Sequence, residues 1–201
     1  MDDRHLRETT LYSEELLQGE FLQVYRDQVH LPDGTTGTRE YVRHPGAVMI
    51  VPLLETDNCE WQVVLERQFR YPMSQVMVEF PAGKLDPGED TFLCAQRELM
   101  EETGYSATEW ARAGVMHPVI SYSTEFIEIW FARGLTAGVR QLGQGEFLDV
   151  FAAPVPQLFQ WCYDGTVTDA KTLAGVLWLQ NIMSGVWTLH WQTTTTPMFR
   201  S

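Results

Sequence analysis

Cysteine is scarce in this chain of 201 residues, and no two cysteines are close together: Cys59, Cys94 and Cys162 are odd in number, widely spaced, and make no Cys-x-x-Cys. That excludes a disulfide framework and a thiolate zinc site, and points to free thiols in a reducing compartment. Basic residues are also few. Fourteen Lys and Arg stand against 27 Asp and Glu, for a net charge of −13. A surface this acidic repels nucleic acid and anionic membranes, so neither is expected as a partner. No apolar run approaches the roughly 18 residues of a membrane span. The start, Met1-Asp2-Asp3-Arg4-His5, is acidic and lacks the apolar stretch of a signal peptide, so a cytoplasmic location is expected. Internal repeats and a domain-dividing linker are absent too. What remains is an ordinary globular balance, 44% hydrophobic and 20% charged, with enough length for one substantial core. The shortage of cations sets a condition: a phosphate-bearing ligand would need a bound metal ion, a few local arginines, or both.

Along the chain, residues 1–19 read as a short polar segment with one turn of helix at Ser13–Leu17. Residues 21–30 and 37–44 read as the two strands of a hairpin across the turn Leu31-Pro32-Asp33-Gly34, where proline presets φ and glycine tolerates positive φ. The apolar run Ala47–Leu54 predicts a buried central strand. Trp61–Arg67 predicts a further strand, 81–88 a loop, and Asp90–Thr103 a helix stopped by Gly104. Strands are expected at 108–116, 125–133 and 146–152, and helices at Pro154–Tyr163 and Asp169–Ile182. The tail, 185–201, carries no readable pattern. Residues 1–45 form a small β appendage, and 46–184 the main domain. The fold class expected is α/β (α+β), a mixed sheet sandwiched between helices.

The segment from Gly83 to Tyr105 carries the chemistry. Glu98, Glu101 and Glu102 stand at i, i+3 and i+4, on one helix face. An apolar stripe of Phe92, Ala95 and Leu99 runs beside them and can bury against a sheet. Three carboxylates at the rim of a buried stripe suit a hard divalent cation with oxygen ligands. A solvated acidic face is the plainer alternative. It leaves unexplained the glycine-bearing loop before the helix, and Arg97, which can pair with Glu101 or brace a carboxylate from behind.

Gly83, five residues, Glu89, seven residues, Arg97-Glu98, Leu99, one residue, Glu101-Glu102, one residue, Gly104 and Tyr105 match the Nudix box at every fixed position, with Tyr105 standing where an aliphatic is commoner. The chain thus resembles the Nudix hydrolases. The resemblance implies a Nudix-type sheet between helices and a Mg²⁺-dependent hydrolase; whether Mn²⁺ replaces Mg²⁺ is left open by the sequence. It implies Glu98 and Glu102 as metal ligands, joined by the backbone carbonyl of Ala82. Glu101 would be a further ligand or support, and Glu89 an orienting group.

Outside the box, Leu65-Glu-Arg-Gln-Phe-Arg70-Tyr-Pro, Glu79-Phe-Pro-Ala, Pro118, Ser121–Ile127, Gly145–Val150 and Gly165–Thr172 resemble the ADP-ribose pyrophosphatase branch. The substrate implied is ADP-ribose, with a nucleotide sugar as the alternative. Arg70 is expected to grip phosphate because a guanidinium fork matches its oxygens. Arg67, Arg43, Glu79 and Glu125 are further substrate-binding candidates. Glu146, in a loop flanked by Gly143 and Gly145, is the candidate base. The five histidines fall in no motif. Tyr25, Tyr41 and Phe69 are candidates for stacking on adenine. The branch also implies a homodimer formed through the N-terminal piece. A Nudix fold that binds ADP-ribose without turnover is the competing reading, opposed by the complete carboxylate set.

Overall fold

The computed structural model describes residues 2–56 and 60–194. Cys59 and the last two of the four consecutive threonines, Thr195 and Thr196, lie outside the described residues. The chain divides into two compact units, Met1–Gly46 with His117–Phe126, and Ala47–Met116 with Ile127–Ser201.

The first unit is built on a three-stranded antiparallel sheet, β1 (Thr9–Gln18), β2 (Gln23–His30) and β3 (Thr36–Arg43). The β2–β3 hairpin forms across the expected turn, with Gly34 at φ 88° and the Asp33 side chain accepting from the Thr35 amide at 2.9 Å. The helical turn expected at Ser13–Leu17 is instead part of β1. Every residue of β1 is exposed, so no face alternates and the strand carries no period of two. Its backbone is recruited by the free edge of β2, with irregularities at Thr10/Tyr12 and Glu15/Leu17.

The second unit is a sheet between helical layers, in the order β10 (Leu148–Pro154), β5 (Trp61–Arg70), β4 (Ala47–Glu55), β9 (Ile127–Ala137), β8 (Tyr105–Met116), β11 (Gln192–Thr193). β6 (Gln75–Glu79) joins β5, and β7 (Ala82–Lys84) joins β4. The β4–β9 pair is parallel and the others antiparallel, so the sheet is mixed. β4 shows why its sequence is apolar throughout. Val48 and Ile50 pack with Cys94 and Ala95 of the box helix, with Leu99 just after it, and with Trp110 and Trp130. Met49 and Val51 pack on the other face with Leu158 of α2 (Val155–Tyr163) and Leu179 of α3 (Ala170–Met183). Each such side chain, fully buried, contributes about 1.5–3 kcal/mol. The tail that carried no pattern adds the short edge strand β11 against Trp110 and Glu109 of β8.

Candidate active site

The box helix, α1 (Thr91–Glu98), starts where sequence predicts. Asp90 caps it by accepting from the amides of Phe92 and Leu93. Thr91 donates to Glu128 of β9 at 2.7 Å, and Phe92 lies against Trp130 at 4.9 Å between ring centroids. After Glu98 the chain does not continue as an α-helix. Residues Leu99–Thr103 form a π turn that ends on Gly104 at φ 76°. The Thr103 hydroxyl donates to the Leu99 carbonyl, and the Gly104 amide to Met100. The i, i+3, i+4 geometry expected of the three glutamates is therefore that of a widened turn, a local feature common at functional sites.

Arg97 is the hub. It donates to Glu89 through Nε at 2.8 Å and Nη2 at 2.7 Å, and through Nη1 to Glu98 at 2.8 Å and Glu101 at 3.1 Å. Its Nη2 also meets the Lys84 carbonyl at 3.2 Å. The guanidinium holds the Glu89 carboxyl down to about 2, and Glu89 in turn accepts from the Asp86 amide in the loop. One arginine thereby ties the loop before the helix to two box glutamates. Gly83 is required by proximity: a Cβ there would stand 1.9 Å from the Glu98 carboxyl carbon.

Glu98 and Glu102 are buried, and so is Glu66 of β5. Burial pushes the Glu98 carboxyl up to about 7, with Arg97 pulling it down and Glu101 and Glu146 pushing it further up. Glu66 and Glu102 are both raised, first by burial; Glu79 adds to the rise in Glu66, and Glu66 to that in Glu102. Neither Glu66 oxygen has a hydrogen bond of ordinary geometry; a weak interaction with Glu102 is the smallest influence on it. Glu102 accepts from the Ala82 amide at 3.0 Å. Among the described residues no three His, Cys, Asp or Glu side chains form a ready-made cation cage: Arg97 draws Glu98 and Glu101 to itself, and the Ala82 amide holds Glu102. The donor set is nonetheless all oxygen, buried and short of positive charge, which fits a hard divalent cation.

Glu146 sits in an exposed loop, its carboxylate accepting from the Gly143 amide at 2.9 Å. Its charge reaches both Glu98 and Glu102. Arg70 and Glu79 are brought to each other: Nε and Nη2 donate to the two Glu79 oxygens, both at 2.7 Å. Lys171 also donates to Glu79, which is 2% exposed. The fork expected to grip phosphate is engaged within the protein, and Glu79 is enclosed. Arg67 stands 3.9 Å from Asp149 on the surface. Arg43 and Glu125 belong to the first unit. There Arg43 covers the Tyr25 ring at 3.8 Å, Tyr25 stacks on Tyr41 at 5.9 Å, and Glu125 lies 4.0 Å from His44. Phe69 is half exposed. Sequence reasoning missed Glu66, Lys171 and Thr172. The signal for Glu66 was a carboxylate in an otherwise apolar strand, Val63-Val64-Leu65-Glu66.

A site of this make-up has parallels among known proteins. A family model described as a nucleoside diphosphate sugar hydrolase N-terminal domain matches residues 8–42. An ADP-ribose pyrophosphatase of Bacillus subtilis is 32% identical over 179 residues, 88% of this chain and 95% of that protein. A methanol dehydrogenase activator of Bacillus methanolicus is 35% identical over 177 residues, 86% of this chain and 92% of that protein. A crystal structure of an ADP compounds hydrolase superposes with a TM-score of 0.79, covering 90% of this chain and 97% of that one at 23% identity, a likeness of fold. The NUDIX domain model matches residues 43–175, which include the loop, α1 and the π turn, and the chain belongs to the Nudix family of hydrolases.

Proposed function

We propose that this hydrolase cleaves ADP-ribose into AMP and ribose 5-phosphate. The observation that carries the reaction class is that Glu98 stands against Gly83 and Glu102 against the Ala82 amide, with Arg97 holding Glu98, Glu101 and Glu89 together. The substrate rests on relatives named ADP-ribose pyrophosphatase, in Bacillus subtilis and in Mycobacterium tuberculosis, each 32% identical.

In this reading Glu98, Glu102 and the Ala82 carbonyl hold Mg²⁺ or Mn²⁺, and Glu101 supports them. Bound there, the ion would neutralise the diphosphate and polarise a phosphoryl oxygen. Glu146 takes a proton from water as the water oxygen forms its bond to phosphorus. The bridging P–O bond breaks, and its oxygen leaves on the other phosphate. Arg97 does not touch substrate; it keeps the carboxylates in place against their mutual repulsion. Substrate contacts are assigned to Arg70 and Arg67. Arg70 and Glu79 act as a pair, with the arginine's reach to phosphate set by how it is held on Glu79. Residues 1–45 are assigned to dimer formation, 46–184 to the catalytic domain, and the protein to the cytoplasm. Exposed Leu11, Tyr12, Leu16 and Leu17 on β1 support the dimer; a one-chain mass by light scattering at micromolar concentration would remove it.

A second reading, hydrolysis of a nucleotide sugar, is favoured by the name of the N-terminal family model and by an ADP-sugar pyrophosphatase of Mus musculus, 35% identical over 156 residues. Phosphate release after added phosphatase, measured on ADP-ribose, nucleotide sugars, NADH and dinucleoside polyphosphates with and without Mg²⁺, tests both. The expected result is fastest, Mg²⁺-dependent release from ADP-ribose. A faster nucleotide sugar would replace the substrate, and no release from any would leave a binding module. Glu98→Gln should lower kcat by at least about 10²-fold; an unchanged kcat at saturating Mg²⁺ would refute the metal assignment, and the same measurement on Glu146→Gln tests the base.

A further inference from the structure

Glu66 is 0% exposed, and both its oxygens are buried without a hydrogen-bond partner. An isolated buried carboxylate is costly, and a fold keeps one only where something compensates it. In register Glu66 stands directly opposite Glu79, the worst neighbour for a carboxylate in an antiparallel pair. Two cations lie close by, Arg70 and Lys171. Both are bound to Glu79: Arg70 by two hydrogen bonds of 2.7 Å, Lys171 by a third, with Asp169 taking a further Lys171 bond at 3.0 Å. Both cations thus give their hydrogen bonds to Glu79 and reach Glu66 only through space. Glu102, the last glutamate of the box, lies near enough for the two carboxyls to act on each other, and it accepts from the Ala82 amide.

We propose that Glu66 is a positioning residue of the metal centre: it backs Glu102 from the core and adds the buried negative charge that a divalent cation must answer. This rests on the reading of Glu98 and Glu102 as metal ligands. Glu66 then acts through Glu102 as an outer carboxylate acts through a ligand, fixing its orientation and deepening the local potential for a cation. Its cost to folding is retained because the centre needs it, the pattern expected where a site is kept at the expense of stability.

The test is Mn²⁺ binding without substrate, followed by electron paramagnetic resonance on the full chain, for wild type, Glu66→Gln, Glu66→Asp, Glu98→Gln and Glu102→Gln. Glu66→Gln should weaken Mn²⁺ by about 10-fold or more, with Glu66→Asp, which keeps the charge, closer to wild type. In a chelator the thermal midpoint of Glu66→Gln should equal or exceed that of wild type, because a buried carboxyl with no hydrogen-bond partner, opposite Glu79, has been removed. A wild-type Kd in Glu66→Gln, or a midpoint lowered equally with and without metal, overturns the proposal and makes Glu66 structural. If Glu98→Gln and Glu102→Gln also bind Mn²⁺ as wild type does, it is the metal-centre reading itself that fails.

Discussion

At Gly83 a single hydrogen atom in place of a methyl group decides whether Glu98 can stand where it does. The backbone there is extended, so the demand is for space and not for an unusual φ. A Cβ 1.9 Å from the Glu98 carboxyl carbon would force that side chain away from the loop and off Arg97. Gly83→Ala should fold, because the colliding group is the end of a side chain, yet lose about 10²-fold in kcat, the usual result of misplacing a reactive group by about 1 Å. Steady-state kinetics with a circular dichroism control would check it; near-normal turnover would mean Glu98 is not needed in that position. Gly83, Glu89, Arg97 and the three box glutamates were legible in sequence because they lie within one loop and one helix, where spacing maps onto proximity. Glu66 was not, since it lies on β5, 36 positions before Glu102, and only the folded chain brings the two near each other. Arg70 and Glu79 were each seen as facing substrate, because a motif lists residues without their partners; nine positions apart in sequence and at opposite ends of the β5–β6 register, they meet only through their side chains.

Among elements, the attachment of α3 to the sheet depends on a polar cluster. Asp169 caps the helix, accepting from the Thr172 amide at 3.0 Å and its hydroxyl at 2.7 Å, and that hydroxyl receives the Phe80 amide at 3.1 Å. Lys171 bridges Asp169 to Glu79. The strand end Glu79-Phe80 leads directly into Ala82 and Gly83, so the clamp also fixes the loop of the site. Lys171→Met leaves Glu79 buried with Arg70 as its remaining cation, and should cost about 1.5–3 kcal/mol, the value of a hydrogen bond to a charged group. Urea denaturation should show a lower midpoint with an unchanged slope; a midpoint like wild type would show that Arg70 alone satisfies Glu79. The helices and the central strand were readable because their apolar periods are long and their caps are local. β1 was not: a strand exposed on both faces has no pattern to read, and only the edge of β2 makes it one. The π turn was equally hidden, since it arises from Thr103 competing for the Leu99 carbonyl inside a segment whose spacing reads as α-helical.

For the molecule as a whole, a net charge of −13 places a cost on its own interior, and that cost depends on pH. Burial raises the Glu98 carboxyl from 4.5 to about 7, and Glu66 and Glu102 are raised as well. A carboxyl raised in the folded state binds its proton more tightly folded than unfolded. Its contribution to stability is whole below pH 4.5 and is lost as pH rises through about 7 and beyond. Glu89, lowered to about 2, behaves oppositely: its contribution is whole above 4.5 and fails only on the acid side. In a chelator the thermal midpoint should therefore fall on the alkaline side of pH 5, by about 5 °C or more across the window. Mg²⁺ binds the ionised carboxylates and stabilises by mass action, so the midpoint it restores should grow with pH. Differential scanning fluorimetry from pH 5 to 9, with EDTA and with saturating Mg²⁺, reads both curves. Two parallel curves would mean that the buried glutamates ionise without regard to the ion, and that the charge deficit around Glu98 and Glu102 is met by something other than a cation.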